Sequence, residues 1–387
     1  MKIAIIHDWL TGMRGGERVL EVLCGLYPQA DLYTLIHVKD RLSGIIEGMR
    51  IKTSFLQNFP GVTKYYRYYL GFFPSAIEHF DLRDYDLIIS SSHCVAKGIV
   101  PMPEALHISY CHTPMRYVWD MQFDYVQRSR NPLRNLLISA FTNYLRIWDV
   151  TASQRVDEFI ANSRYVQQRI KKYYRRESTV IHPPVNCDFF RPSRDARESD
   201  YYLAVTALVP YKRLDLAIEA FNRLGKPLLI VGDGQGMNEM KKRAPKNVEF
   251  LGWQNDEQVR DYYQGCRALI FPGKEDFGIS PVEAQACGKP VIAFGRGGIL
   301  ETVRPYPQER PTGLFFSEPT PDSLIQAVEL FERCRDRFDP HVSRENALSF
   351  DQEKFREKIR SFVEEKYRAF HHHQVLMDEM TPKMATK

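Results

Sequence analysis

Twice along this chain, short apolar runs that end in small polar residues alternate with helix-period stretches, and a proline pair, Pro183-Pro184, separates the two series. The first series holds KIAIIHDW (2–9), GERVLEVLCGLY (16–27), ADLYTLI (30–36), DLIISSS (86–92), ALHISYCH (105–112) and FIANS (159–163). The second restarts with YYLAVTAL (201–208), LDLAIEAFNRL (214–224), PLLIVGDG (227–234), VEFLGW (248–253), ALIFPG (268–273) and PVIAFG (290–295). Strands that are apolar at nearly every position are covered on both faces, and strands alternating with helices build parallel sheets. The expected fold is α/β: two doubly wound, Rossmann-like domains, 1–184 and 185–349, facing a central cleft. A charged helix over 350–370 is expected to cross back to the first domain, and 371–387, without a core pattern, to be a disordered tail.

The 387 residues suffice for two cores, and a composition of 44% hydrophobic and 26% charged residues is that of a globular protein. No apolar run reaches the ~18 residues that span a bilayer, and Asp8 interrupts the N-terminal run too early for a signal peptide. Seven cysteines, scattered and without CxxC spacing, argue for reduced thiols and against a zinc site. A cytoplasmic protein is expected, or one peripheral to the cytoplasmic face of an inner membrane. The net charge of +5 is unevenly spread: residues 125–176 hold eleven Arg or Lys against three acidic residues. Upstream, TKYYRYYLGFFP (63–74) interleaves aromatic and basic side chains. These segments are either solvated helical faces with aromatic anchors or a patch resting on an anionic membrane surface. No motif points to nucleic acid.

Ligands of doubly wound folds bind at the carboxyl ends of the strands, where several loops carry suitable chemistry. In TGMRGGERV (11–19), Gly15 and Gly16 open a helix and allow backbone N–H groups near a phosphate, or simply close packing. The spacing is neither GxGxxG nor a P-loop, which excludes the usual nicotinamide and P-loop kinase sites. VPYKRLD (209–215) puts Lys212 and Arg213 between a strand and a helix, where two cations suit a diphosphate or stand solvated. VGDGQG (231–236), with Gly232, is a second glycine turn. FPGKEDFGISPVEA (271–284) sets Glu275 on a loop and Glu283 in the first turn of a helix expected to begin near Pro281, with the amides of Phe277, Gly278, Ile279 and Ser280 between them. Two carboxylates can hold the hydroxyls of two sugar rings while the amides take phosphate oxygens. The Asp84-Tyr85-Asp86 triplet enters an apolar run and reads as a strand start, so no metal is expected.

Taken in order, GGERV, the His112 of CHTP, LVPYKRLD, VGDG, FLGW, the Glu275–Glu283 pair and GKPVIAFGRGGILETV resemble the retaining glycosyltransferases of family 4, from Met1 to about Phe370. That family has the GT-B fold, an N-terminal acceptor domain and a C-terminal nucleotide-sugar domain. The resemblance implies that Glu283 holds the ribose, Glu275 meets the donor sugar, Lys212 with Arg213 neutralises the diphosphate, and Gly16 lies beneath it. It puts His112 beside the donor sugar; the other reading of a strand-end histidine is structural. Arg116, Asn162 and Arg164 are further cleft candidates. The chain departs from the family at Thr206 and Ala207, where Gly-Arg is usual, so Arg213 is expected to replace a missing cation. The closest likeness is to bacterial mannosyltransferases that pass mannose from GDP-mannose to lipid-linked saccharides in O-antigen or other surface-polysaccharide assembly. The implied partners are that donor and a saccharide acceptor, with no cofactor. UDP-sugar donors, a nucleotide-sugar 2-epimerase and a non-catalytic nucleotide-sugar-binding protein are the alternatives.

Overall fold

The computed structural model describes residues 1–120, 131–193, 199–234 and 236–380. Its contacts divide the chain into two units. The first comprises Met1–Asn162, Val166–Ile181 and the C-terminal helix from Phe355; the second comprises Ser163–Tyr165 and His182–Lys354.

The first unit is built on seven parallel strands: β1 Ile3–His7, β2 Asp31–Thr34, β3 Arg50–Thr53, β4 Leu87–Ser92, β5 Leu106–Cys111, β6 Glu158–Ala161 and β7 Thr179–Val180. They lie in the order β3-β2-β1-β4-β5-β6-β7. Every residue of β1, β4 and β5 is buried, the polar His7, Ser90, Ser91, Ser92, His107 and Ser109 included, as strands covered on both faces require. Alternate side chains feed two cores. Ala4, Ile6 and Ile88 face Trp148 and Ala152 of one helix. Ile3, Ile5, Leu87 and Ile89 face Val19 and Leu23 of α1, Gly15–Leu26. Two further helices, α2 Pro132–Ser153 and α3 Arg164–Tyr174, follow β5 and β6.

The second unit has six parallel strands: β8 Tyr202–Val205, β9 Leu228–Val231, β10 Val248–Gly252, β11 Leu269–Phe271, β12 Val291–Phe294 and β13 Gly313–Phe316, ordered β10-β9-β8-β11-β12-β13. Its helices include α4 Leu214–Leu224, α5 Asp256–Gly265, α6 Ile279–Ala286 and α7 Pro321–Arg333. Helix α4 stops at Gly225, whose φ of 67° is the left-handed cap that ends many helices. At the start of α5, Asn255 and Gln258 form a reciprocal capping box. Both sheets thus reverse their winding direction beside the first strand, next to β4 in one unit and β11 in the other, and such reversals mark ligand crevices.

The last helix, α8, runs Gln352–Met380. Phe355, Ile359, Phe362 and Val363, spaced to share one face, pack into the first unit's core with Val19 and Tyr110. It continues beyond the expected end at 370 because no glycine or proline interrupts the sequence before Pro382. The rest of the expected tail, 381–387, lies outside the described residues. No helix among the described residues is long and apolar enough to cross a membrane.

Candidate active site

In the second unit, the loops that leave β8 and β11 meet. Lys212 follows β8 and Glu275 follows β11, and their side chains form an ion pair, both about 15% exposed. The approach of the two loops depends on Gly273: a Cβ there would sit 2.9 Å from the Lys212 Cα and 3.0 Å from the Tyr211 carbonyl oxygen. A second lock holds the Glu275 loop from its other side. Gly298 donates its N–H to the Glu275 carbonyl at 2.8 Å, and a Cβ on Gly298 would meet the Asp276 carbonyl oxygen and lie 2.5 Å from the Phe277 Cα. Gly297 and Gly298 therefore serve close backbone approach to residues 275–277. Gly298→Ala is expected to destabilise the second unit by about 1–3 kcal/mol through overpacking, which differential scanning calorimetry would register as a lower unfolding midpoint.

Gly278, at φ +90°, ends this loop, and α6 begins at Ile279. The helix thus starts two residues before the expected position near Pro281, and Glu283 falls in the second turn, not the first. Pro281 still lies in the first turn, where its missing N–H costs nothing. The first N–H groups of the helix, at Ile279 and Ser280, have no helical partner by construction and carry the positive end of the dipole. Glu283 is half-buried, and its Oε2 accepts the Tyr263 hydroxyl at 2.9 Å. Burial, then the Glu283 charge, pushes the Tyr263 phenol far above its ordinary range, so it remains a donor. Gly232, at φ +132°, packs against the Thr206 carbonyl, so the VGDG turn sits directly on the loop that carries Thr206 and Ala207. Arg213 takes a left-handed φ of 53° and directs its guanidinium to Asp215 at 3.1 Å. Arg164 groups with this unit; its backbone N–H donates to Glu301 Oε2 at 2.9 Å, and Glu301 also meets His182 at 2.9 Å.

In the first unit, Gly15 and Gly16 open α1. A Cβ on Gly16 would lie 3.7 Å from both His112 Nε2 and His7 Cε1. Ser91 links the two imidazoles, its hydroxyl 3.1 Å from His7 Nδ1 and 2.9 Å from His112 Nε2. Asn162 is buried and donates its amide to the His112 carbonyl at 2.9 Å, a contact that holds the strand end in place. Arg116 lies four residues on, its carbonyl accepting the Trp119 N–H at 3.3 Å.

Sequence reading missed the centre of this cluster. Asp8 is fully buried at the end of β1, and its two oxygens accept four backbone N–H groups: His93 at 2.7 Å, Cys94 at 3.0 Å, Val95 at 2.6 Å and Ala96 at 2.7 Å. His93 Nδ1 adds an ion pair at 2.9 Å. Burial raises the Asp8 pKa, but His93 and then His7 outweigh it and hold the carboxyl well below the usual carboxylate range. Burial lowers the His93 pKa, and Asp8 followed by Glu17 overcomes it, leaving the imidazole above its ordinary value. The signal was a charged residue directly after a strand that is apolar up to its final His7. The acidic pair Asp84 and Asp86 is tied to Lys2, through its Nζ at 3.1 Å and its N–H at 2.6 Å. Among the described residues, no group of three or more His, Cys, Asp or Glu side chains is placed to hold a metal ion.

Two family models match in succession: glycosyltransferase family 4 over residues 20–189, and glycosyl transferases group 1 over residues 188–348. The chain belongs to the family 4 glycosyltransferases. Among curated relatives, this glycosyltransferase is 33% identical over 191 residues to the O-antigen chain mannosyltransferase C of Escherichia coli, covering 45% of this chain and 50% of the relative. It is 31% identical over 159 residues to an uncharacterized glycosyltransferase of Methanocaldococcus jannaschii, covering 39% and 44%. The chain thus spans about half the length of these relatives. Solved structures share the fold over nearly the whole chain at 16% identity. They include a sucrose-phosphate synthase from Thermosynechococcus elongatus, TM-score 0.70, covering 95% of this chain and 100% of that one. HepE of Anabaena in complex with UDP and glucose has a TM-score of 0.67, with 94% and 99% covered. The fold is therefore GT-B, with two parallel-sheet α/β domains.

Proposed function

We propose that this protein transfers a hexose, mannose from GDP-mannose, to a hydroxyl of a lipid-linked saccharide in surface-polysaccharide assembly, with retention at the anomeric carbon. The observation that carries the reading is the Lys212–Glu275 pair at the winding reversal of the second unit, beside the start of α6. A cation, a carboxylate and unpaired helical amides within one loop system suit a diphosphate joined to a sugar. Lys212 neutralises the departing diphosphate, the amides of Phe277, Gly278, Ile279 and Ser280 receive its oxygens or those of the sugar, and Glu275 aligns a sugar hydroxyl. Glu283, steadied by Tyr263, takes the ribose hydroxyls.

On this reading the first unit binds the acceptor, and Gly16 and His112, which lie together in it, are the groups it offers to substrate. Among the described residues these loops offer groups suited to phosphate and no nucleophile–base pair, so on this reading the leaving diphosphate itself serves as base toward the acceptor, and catalysis is electrostatic. Arg213 supplies the cation missing at Ala207 only by exchanging Asp215 for a phosphate. Mannose is favoured by the kinship with the E. coli O-antigen mannosyltransferase.

The UDP complex of HepE, a relative in fold, motivates the competing base. Isothermal titration with GDP and with UDP separates the two. The expected result is GDP binding at least ~10-fold tighter, a difference of about 1.4 kcal/mol. Tight UDP binding without GDP binding would end the mannose proposal and leave the hexosyl transfer in place.

A further inference from the structure

Helix α2 presents a face that nothing among the described residues covers. Leu133, Leu136, Leu137, Phe141, Tyr144 and Ile147 are 62, 65, 63, 38, 48 and 61% exposed. With Ala140 they recur at steps of three and four and so share one side of the helix. The opposite side holds α2 to its own unit through Thr142, Leu145, Trp148 and Asp149. From Pro132 to Phe141 no side chain is buried, so the first half of the helix stands clear of the core.

The patch continues onto a neighbouring segment of the same unit. A Cβ on Gly71 would lie 3.6 Å from the Phe141 ring, and beside Gly71 the side chains of Phe72 and Tyr68 are 52% and 86% exposed. A contiguous apolar surface of this extent is unusual on a soluble monomer and marks a partner. Its charge identifies which. Residues 61–76 and 131–148 contain Lys64, Arg67, Arg134 and Arg146 and not one Asp or Glu.

We propose that this face docks on an anionic lipid bilayer. Helix α2 lies in the plane of the interface, its leucines and Phe141 among the acyl chains. Tyr68 and Tyr144 sit at headgroup level, and the exposed Lys64, Arg67 and Arg134 meet lipid phosphates. A second copy of the chain fits poorly, because a twofold contact would set these cations against one another with no carboxylate to receive them. None of these residues belongs to either cluster described above, so the proposal does not rest on the donor-site reading.

Co-flotation of the full chain with vesicles tests it. Vesicles of phosphatidylcholine with phosphatidylglycerol should carry the protein at least ~10-fold better than phosphatidylcholine alone. The double variant Leu136→Ser/Leu137→Ser should bind anionic vesicles at least ~30-fold more weakly, with circular dichroism and unfolding midpoint unchanged because both side chains are exposed. Lys64→Gln/Arg67→Gln/Arg134→Gln should abolish the preference for anionic over neutral vesicles. Absence of wild-type flotation on anionic vesicles would overturn the proposal, as would wild-type binding by the leucine variant. So would a concentration-dependent dimer, without vesicle binding, that the leucine variant dissociates; that result would assign the face to a second copy.

Discussion

Glu275→Ala should leave nucleotide affinity within a few-fold of wild type and lower hexosyl transfer by ~10²-fold or more, the scale of losing one placed electrostatic group. The ion pair explains why binding and transfer separate. Without the carboxylate, the Lys212 ammonium loses its partner and is left wholly to the phosphates, so ground-state binding of nucleotide holds or tightens. Alignment of the sugar at the reacting centre is lost, and a deficit confined to kcat is its signature. Lys212→Ala should behave differently: nucleotide affinity falls at least ~10-fold and transfer falls further, because the charge of the departing diphosphate is no longer met. The two changes share an interaction, so the double variant should be less impaired than the product of the single effects. Titration calorimetry with GDP, together with product formation from GDP-mannose, reads both quantities. Unchanged transfer in Glu275→Ala would remove Glu275 from the proposed chemistry.

The largest effect on stability is expected at Asp8. Asp8→Ala removes the acceptor of four backbone donors, three of them fully buried, and the partner of His93 at one stroke. Breaking a buried ion pair from one side costs about 3–5 kcal/mol, enough to lower the unfolding midpoint of the first unit by about 10 °C. The pair also gives a pH signature. The Asp8 pKa is depressed in the folded state, so its contribution is present above the unfolded value of about 4 and is lost as the pH falls toward the folded one. The His93 pKa is raised, so its contribution is complete below about 6.5 and is lost as the pH rises through the folded value. The stabilisation by the pair is therefore greatest between about pH 4 and 6.5. In thermal melts carried from this range to more alkaline pH, the difference between wild type and His93→Gln should shrink above about pH 6.5; a difference independent of pH would show that His93 is not held as an imidazolium.

The strands were legible because buried parallel strands read as mostly apolar runs closed by small polar residues, and β1 and β4 follow that form with every residue buried. The loops around Lys212, Gly232 and Glu275 were legible because strand-end glycines and charges stand out against such runs. The four-amide seat of Asp8 was not, since its partners lie 85 to 88 positions away and the relevant groups are backbone, which every residue has. Helix α6 began early because Gly278 adopts a positive φ that periodicity cannot reveal. The stretch that holds α2 left two readings open, a solvated face or a membrane patch, for another reason. An apolar stripe at helical spacing reads the same whether a core covers it or water does, and only the packed fold distinguishes the two.

The glycines that let the loops of the second unit touch main chain to main chain have a consequence for how such a protein diversifies. The frame that positions Lys212 and Glu275 is built from atoms common to all residues, so it constrains only those places where a side chain would intrude, Gly273 and Gly298 among them. Natural variation can then exchange the groups that choose a base or a sugar while leaving that scaffold untouched. A saturation library selected for function should show two populations: glycines that admit no replacement, and neighbouring positions that drift freely and carry new substrate preferences with them.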